Sequence, residues 1–92
     1  MIETFADQET RRLWEGNRTR FPSDLIHRAI TKLNMIDSAT NLEALKVPPS
    51  NRLEQLRGNR VGQHSIRIND QWRLCFRWES GNARDVEITD YH

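Results

Sequence analysis

The chain has 92 residues, 36% of them hydrophobic, with 14 Lys plus Arg against 13 Asp plus Glu and a formal net charge of +1 at pH 7. That length predicts one domain, residues 1–92, with a thin core and some surface left for a partner to finish. Cys75 is the single cysteine, which excludes an intrachain disulfide and fits a reducing cytosol. No basic-then-apolar leader opens the sequence, and no apolar run approaches the roughly 18 residues of a membrane span. The expectation is a soluble cytoplasmic protein that meets no membrane.

In chain order, Ile2 to Phe5 is a short candidate strand. Asp7 can cap a helix that runs through Leu13 and Trp14 and stops at Gly16. Pro22-Ser23-Asp24 opens the clearest helix, in which Ile26, Ala29, Ile30, Leu33 and Ile36 recur at three and four and define one buried stripe. Thr40-Asn41-Leu42-Glu43 has the pattern of a capping box and starts one more short turn. Pro48-Pro49-Ser50-Asn51 then divides a helical half from a sheet half. From Leu53 the hydrophobic period becomes two, giving strands around 53–56, 64–68, 72–78 and 86–89 with a turn at Glu79–Asn82. The predicted fold class is α+β, with two N-terminal helices packed on a twisted, mostly antiparallel sheet.

Charge is unevenly spread. Residues 1–47 carry seven basic and seven acidic groups, whereas residues 52–77 carry six arginines (52, 57, 60, 67, 73 and 77) against Glu54 and Asp70. Twelve of the fourteen basic residues are Arg, whose planar fork suits bidentate phosphate contacts better than the point charge of lysine. Strand register sharpens this. A three-residue loop, Asn69 to Gln71, pairs Ile68 with Trp72, Ile66 with Leu74 and His64 with Phe76, keeping the apolar set on one face. The same register sets Arg67 directly across from Arg73, and Ser65 across from Cys75, on the other face. Facing like charges destabilise a sheet by some tenths of a kcal/mol. Two explanations stand side by side: an anion between the arginines, or an acid such as Glu87 on the last strand that neutralises them.

Asp90-Tyr91-His92 follow the last strand, so groups able to hold or move protons meet an arginine-rich hairpin. Cleavage of RNA without a metal needs a base for the 2′-hydroxyl, an acid for the leaving 5′-oxygen and cations for the developing charge. His92 has the intrinsic acidity for either proton role, Tyr91 can transfer a proton or stack on a base, and Asp90 can orient His92. In a straight strand, however, Asp90 and Tyr91 point to opposite faces. His27, His64 and His92 with Cys75 lack zinc-ligand spacing, and Gly58 and Gly62 serve turns rather than a phosphate loop. No metal or cofactor is expected. His64 falls at a core-parity position, and Trp14, Trp72 and Trp78 fit core faces.

The run Gly-Asn-Arg-Val-Gly-Gln-His-Ser-Ile-Arg-Ile-Asn-Asp-Gln-Trp-Arg-Leu-Cys-Phe-Arg-Trp at 58–78, with Asp-Tyr-His at 90–92, resembles the HigB branch of the RelE superfamily of toxins. The resemblance covers essentially the whole chain, including the Ile2 segment, the long helix and Pro-Pro-Ser-Asn-Arg-Leu-Glu at 48–54. It implies a RelE-like domain and a ribosome-dependent endoribonuclease that cuts mRNA by metal-free attack of the RNA's own 2′-hydroxyl. It also implies a HigA-type helix-turn-helix antitoxin, contacts to small-subunit rRNA and mRNA, and operator DNA bound through the antitoxin complex alone. By the resemblance Asp90, Tyr91 and His92 match the C-terminal catalytic residues, Arg73 the strand arginine near the scissile phosphate, and Arg57 a basic residue that is often lysine. Arg60, Arg67 and Arg77 are expected to hold RNA backbone. One position departs: where some members carry a catalytic histidine, this chain has Glu54, a possible base that nearby Arg52 and Arg57 would keep charged. A structural ion pair and a catalytic Glu54 are both open. Two rival readings remain: a non-cleaving module of the same fold that binds ribosome or antitoxin, and an operon co-repressor.

Overall fold

The side chain of Asp7 accepts the Thr10 amide at 3.3 Å and starts α1 (Gln8–Trp14); beyond it Gly16, at φ +82°, turns the chain away. The computed structural model describes residues 1–90. Helix α2 (Ser23–Ser38) follows and buries Leu25, Ala29, Leu33 and Ile36. The expected stripe was displaced by a fraction of a turn: Leu25 is 1% exposed while Ile30 is 36% exposed. Leu25 sits four residues before Ala29 and so directly over it on the helix, whereas Ile26 and Ile30 lie about 100° further round and only flank the buried line.

The expected capping box does not form. Asn41, not Thr40, caps a 3-10 turn (Leu42–Lys46), its side chain accepting the Ala44 amide at 3.0 Å, and Glu43 pairs with Lys46. A second such turn, Pro49–Asn51, carries a fully buried Asn51. Its Nδ2 donates to the carbonyls of Leu45 (3.1 Å) and Val47 (3.4 Å), and its Oδ1 accepts from Lys32 Nζ at 2.6 Å. One amide thus holds the irregular passage between helices and sheet against α2.

The sheet has four antiparallel strands in sequential order, β1 (Glu54–Gln55), β2 (His64–Arg67), β3 (Trp72–Glu79) and β4 (Asn82–Asp90). The β2–β3 register is the expected one: His64 with Phe76, Ser65 with Cys75, Ile66 with Leu74 and Arg67 with Arg73. The β3–β4 connection is a two-residue turn, Ser80-Gly81, both at positive φ (52° and 80°), the geometry whose twist matches paired strands. A bulge opposite Cys75–Arg77 holds Asp85 at φ +52°. The expected N-terminal strand reduces to two parallel bridges on the outer edge of β4, Ile2 with Ala83 and Phe5 with Val86. The bulge interrupts the even spacing that a longer parallel ladder requires. Four backbone hydrogen bonds join residues 1–6 to Ala83 and Val86, and beyond them the buried Thr10 hydroxyl takes the Ile88 amide at 3.0 Å.

Both helices cover one sheet face. Ile66, Leu74, Phe76, Val86 and Ile88 meet Leu13, Leu25, Leu33 and Ile36 there, with Trp14, Trp72 and Trp78 partly buried at the margins. Among the described residues no helix is long and apolar enough to cross a membrane.

Candidate active site

Strand parity assigns the opposite face to Glu54, Ser65, Arg67, Arg73, Cys75, Glu87 and Thr89, which sit across from one another in the four-strand register. Arg73 stands in its middle and is 7% exposed. A buried guanidinium must be hydrogen-bonded, and this one is. Nε donates to Ser65 Oγ at 2.8 Å, and Nη2 donates to the Arg52 carbonyl at 2.7 Å and more distantly to the Ser65 carbonyl at 3.4 Å. Nη2 also lies 3.5 Å from Glu54 Oε1. Arg52 adopts a left-handed conformation (φ 46°), turning the chain between the Pro49–Asn51 turn and β1 where its carbonyl meets Arg73.

Among the described residues the acids that face these arginines come from β1 and the hairpin loop, not from Glu87. Arg73 turns toward Glu54 on β1, and Arg67 turns the other way to Asp70 in the hairpin loop. Glu87 instead pairs with Arg60 at 3.0 Å, and Arg60 also bonds Gln63 at 3.1 Å. Glu54 likewise pairs with Arg73 rather than with its sequence neighbours Arg52 or Arg57.

The other expected site residues are placed differently from one another. Arg57 is exposed, just before the 3-10 turn Gly58–Arg60; its carbonyl accepts the Arg60 amide at 3.2 Å, and its side chain makes no hydrogen bond or ion pair among the described residues. Arg77, past the bulge, pairs with Asp85 at 3.4 Å and lies against Gly62, where an added Cβ would come within 2.9 Å of its Nη1. Asp90 pairs with Trp72 on the helix-facing parity and accepts from Gln71 Nε2 at 3.0 Å, so its strand position does not share the face of Arg73. Tyr91 and His92 lie outside the described residues.

Sequence reasoning missed Thr89. It is directly across from Arg73, and its Oγ1 is buried without a hydrogen-bond partner among the described residues. The signal was available in the alternation of β4, which places 87 and 89 on the arginine face. His64 is a packed histidine, its ring 6.0 Å from that of Phe76; burial lowers its pKa from the ordinary value of 6.5. Among the described residues no three His, Cys, Asp or Glu side chains cluster as a metal ion would need.

The arrangement joins a fixed guanidinium, a carboxylate and a hydroxyl in one contact set, with exposed cationic charge beside it. It can bind and neutralise an anionic oxygen and leaves a carboxylate within proton-transfer reach of the same place.

Known proteins share both the sequence and the shape. Toxin HigB-1 of Vibrio cholerae is 37% identical over 90 residues, covering 96% of this chain and 95% of that protein. Endoribonuclease HigB of Proteus vulgaris is 31% identical over 93 residues, covering 100% of both. Among solved structures, a YoeB–YefM complex from Staphylococcus aureus has TM-score 0.63 at 19% identity, covering 100% of this chain and 98% of its own. A YafQ mutant from E. coli matches at TM-score 0.63 and 10% identity, covering 98% and 93%. These two likenesses concern the fold, two helices on a four-stranded antiparallel sheet. The family model for the RelE-like toxin of the type II toxin-antitoxin system HigB matches residues 3–92, and with relatives above 30% identity along nearly its whole length the chain belongs to the HigB-like toxin family.

Proposed function

We propose that this toxin is a ribosome-dependent endoribonuclease that cuts mRNA by metal-free attack of the 2′-hydroxyl, and that it is held by a HigA-type antitoxin in the bacterial cytoplasm. The observation that carries the reading is Arg73, fixed on the sheet face away from the helices by Ser65 and Arg52 with Glu54 at 3.5 Å. The endoribonuclease name of the Proteus vulgaris relative and the toxin–antitoxin complexes among the fold neighbours support it.

In the proposed reaction the 2′-oxygen forms a bond to phosphorus while the bond from phosphorus to the 5′-oxygen breaks, leaving a 2′,3′-cyclic phosphate. The 2′-hydroxyl gives its proton to a base and the departing 5′-oxygen receives one from an acid. Arg73, with Arg57 at the rim, stabilises the charge that builds on the non-bridging oxygens. His92 and Tyr91 transfer protons, Asp90 orients them, and Glu54 is the alternative base. Arg60, Arg67 and Arg77 hold ribosomal or messenger backbone, and the antitoxin complex alone carries the toxin to operator DNA.

One observation favours a different reading: the guanidinium of Arg73 already serves Ser65, Arg52 and Glu54, as it would in a non-cleaving module whose arginine is purely structural. Induction of wild type, Arg57→Gln and His92→Gln in cells, with mRNA 5′ ends mapped against the reading frame, separates the two. In-frame ends with wild type that fall at least tenfold in both variants are expected. Growth arrest without new ends would overturn cleavage and leave the non-cleaving module.

A further inference from the structure

On the flank of the sheet, α2 and the end of β2 enclose a recess of about 330 Å³ lined by Arg28, Thr31, Lys32, Ser50, Arg67 and Ile68. Three of the six lining side chains are cations and none is a carboxylate. Arg28 and Lys32 are four apart on α2 and so share one helix face, and Arg67 approaches from the strand. Like charges converge here at a cost: the pKa of Lys32 is lowered, first by burial and then by repulsion from Arg28 and Arg67.

The recess is not self-neutralised. Lys32 spends one of its three donors on Asn51 Oδ1 at 2.6 Å, leaving two. Arg28 has no ion pair among the described residues, and the acid on Arg67, Asp70, is 99% exposed, a weak and readily exchanged partner. The Thr31 hydroxyl is turned inward to the His27 carbonyl at 3.2 Å, so the donors that remain are the cations and the Ser50 hydroxyl. A tetrahedral oxyanion offers acceptors to several donors at once and neutralises the repulsion that burial magnifies.

Resting on the RNA-cleaving reading above, we propose that this recess is a second phosphate site, which holds the RNA backbone beside the cleavage face and is built from Arg28, Lys32, Ser50 and Arg67. RNA is favoured over an acidic peptide by position. Arg67, which lines the recess, is the direct cross-strand partner of Arg73, so one polyanion with regularly repeated charge can occupy both places. The site fixes register along the strand and takes no part in bond breaking.

The test is binding of a ten-nucleotide 2′-O-methyl RNA, which cannot be cut, followed by anisotropy from about 50 to about 200 mM salt. Arg28→Gln is compared with wild type and with Arg11→Gln on α1 as a charge-matched control. The Arg28 side chain makes no hydrogen bond or ion pair among the described residues, so its variant leaves Asn51 held, unlike Lys32→Gln, which serves as the second variant after its fold is checked. Expected for Arg28→Gln is a roughly tenfold loss of affinity and a salt slope shallower by about 0.7 for the phosphate contact removed. Arg28→Gln and Lys32→Gln both matching the Arg11→Gln control would overturn the site. Loss of poly-glutamate binding with RNA binding intact would also overturn it and give the recess to an acidic protein. Because the oligonucleotide is not cleaved, this result is independent of the mapped 5′ ends: cleavage with an unaltered slope sinks the recess alone, and an altered slope without cleavage sinks the nuclease alone.

Discussion

Replacing Arg73 by Ala removes two short charge-assisted hydrogen bonds, to Ser65 Oγ at 2.8 Å and the Arg52 carbonyl at 2.7 Å. Bonds to charged groups contribute about 1.5–3 kcal/mol each. The Glu54 pair adds less than about 1 kcal/mol because that carboxylate is 55% exposed. Relief from burying a guanidinium offsets part of this, so the net destabilisation is about 2–4 kcal/mol. For a chain of this size that lowers the melting temperature by roughly 10–25 °C. Urea unfolding followed by the fluorescence of Trp14, Trp72 and Trp78 measures it directly, with Arg57→Ala as the reference expected to stay within about 0.5 kcal/mol of wild type. An Arg73→Ala loss below about 0.5 kcal/mol would refute the structural half of the argument. The consequence for function is practical: a harmless Arg73→Ala toxin has two causes, and only variants such as Arg57→Gln or His92→Gln separate chemistry from folding.

Asn51→Leu leaves the Leu45 carbonyl and Lys32 Nζ without their buried partner and should cost about 2–4 kcal/mol in the same unfolding assay. Thr89→Val removes a buried hydroxyl that has no partner among the described residues, so stability should hold or rise by up to about 1 kcal/mol; a clear loss would mean that the hydroxyl is satisfied in solution. His64 has a folded-state pKa below 6.5, so between that value and 6.5 the unfolded chain binds more protons. Its contribution is complete above pH 6.5 and is lost as pH falls through the folded value; the urea midpoint should therefore drop on acidification more in wild type than in His64→Gln.

The sheet was legible where a single face had to be buried. Ile66, Leu74 and Phe76 admit one register with Ile68 and Trp72, and that register carried Arg67 and Arg73 to facing positions. Partner choice was not legible, because it depends on where flexible guanidinium groups turn. Glu54 lies on a two-residue strand with no periodicity to announce it, and it reaches Arg73 through a fold contact nineteen positions away in sequence. On α2, stripes through Leu25 and through Ile26 both satisfy the three-and-four rule, and packing on the sheet chose the first. Asn41 displaced Thr40 as a cap because either side chain can accept the amide three residues on, and the 3-10 turn began one residue later. Alternation alone says that Asp90 and Tyr91 point to opposite faces but not which face each takes; the register places Asp90 with Trp72 rather than with Arg73.

The outer rim of β4, where Met1 to Ala6 bond to Ala83 and Val86, has a consequence for the making of the protein. On a translating ribosome residues 1–6 emerge long before their partners exist, and they stay unpaired until residues 83–86 have left the exit tunnel. Helices α1 and α2 form from local contacts, but the sheet that buries them is completed only when β4 emerges. The surface that Arg73 anchors, between β2 and its neighbours, therefore becomes complete late rather than progressively. A nascent chain stalled short of Ala83 is a helical pair on a sheet that lacks β4, open to protease and without a finished arginine face.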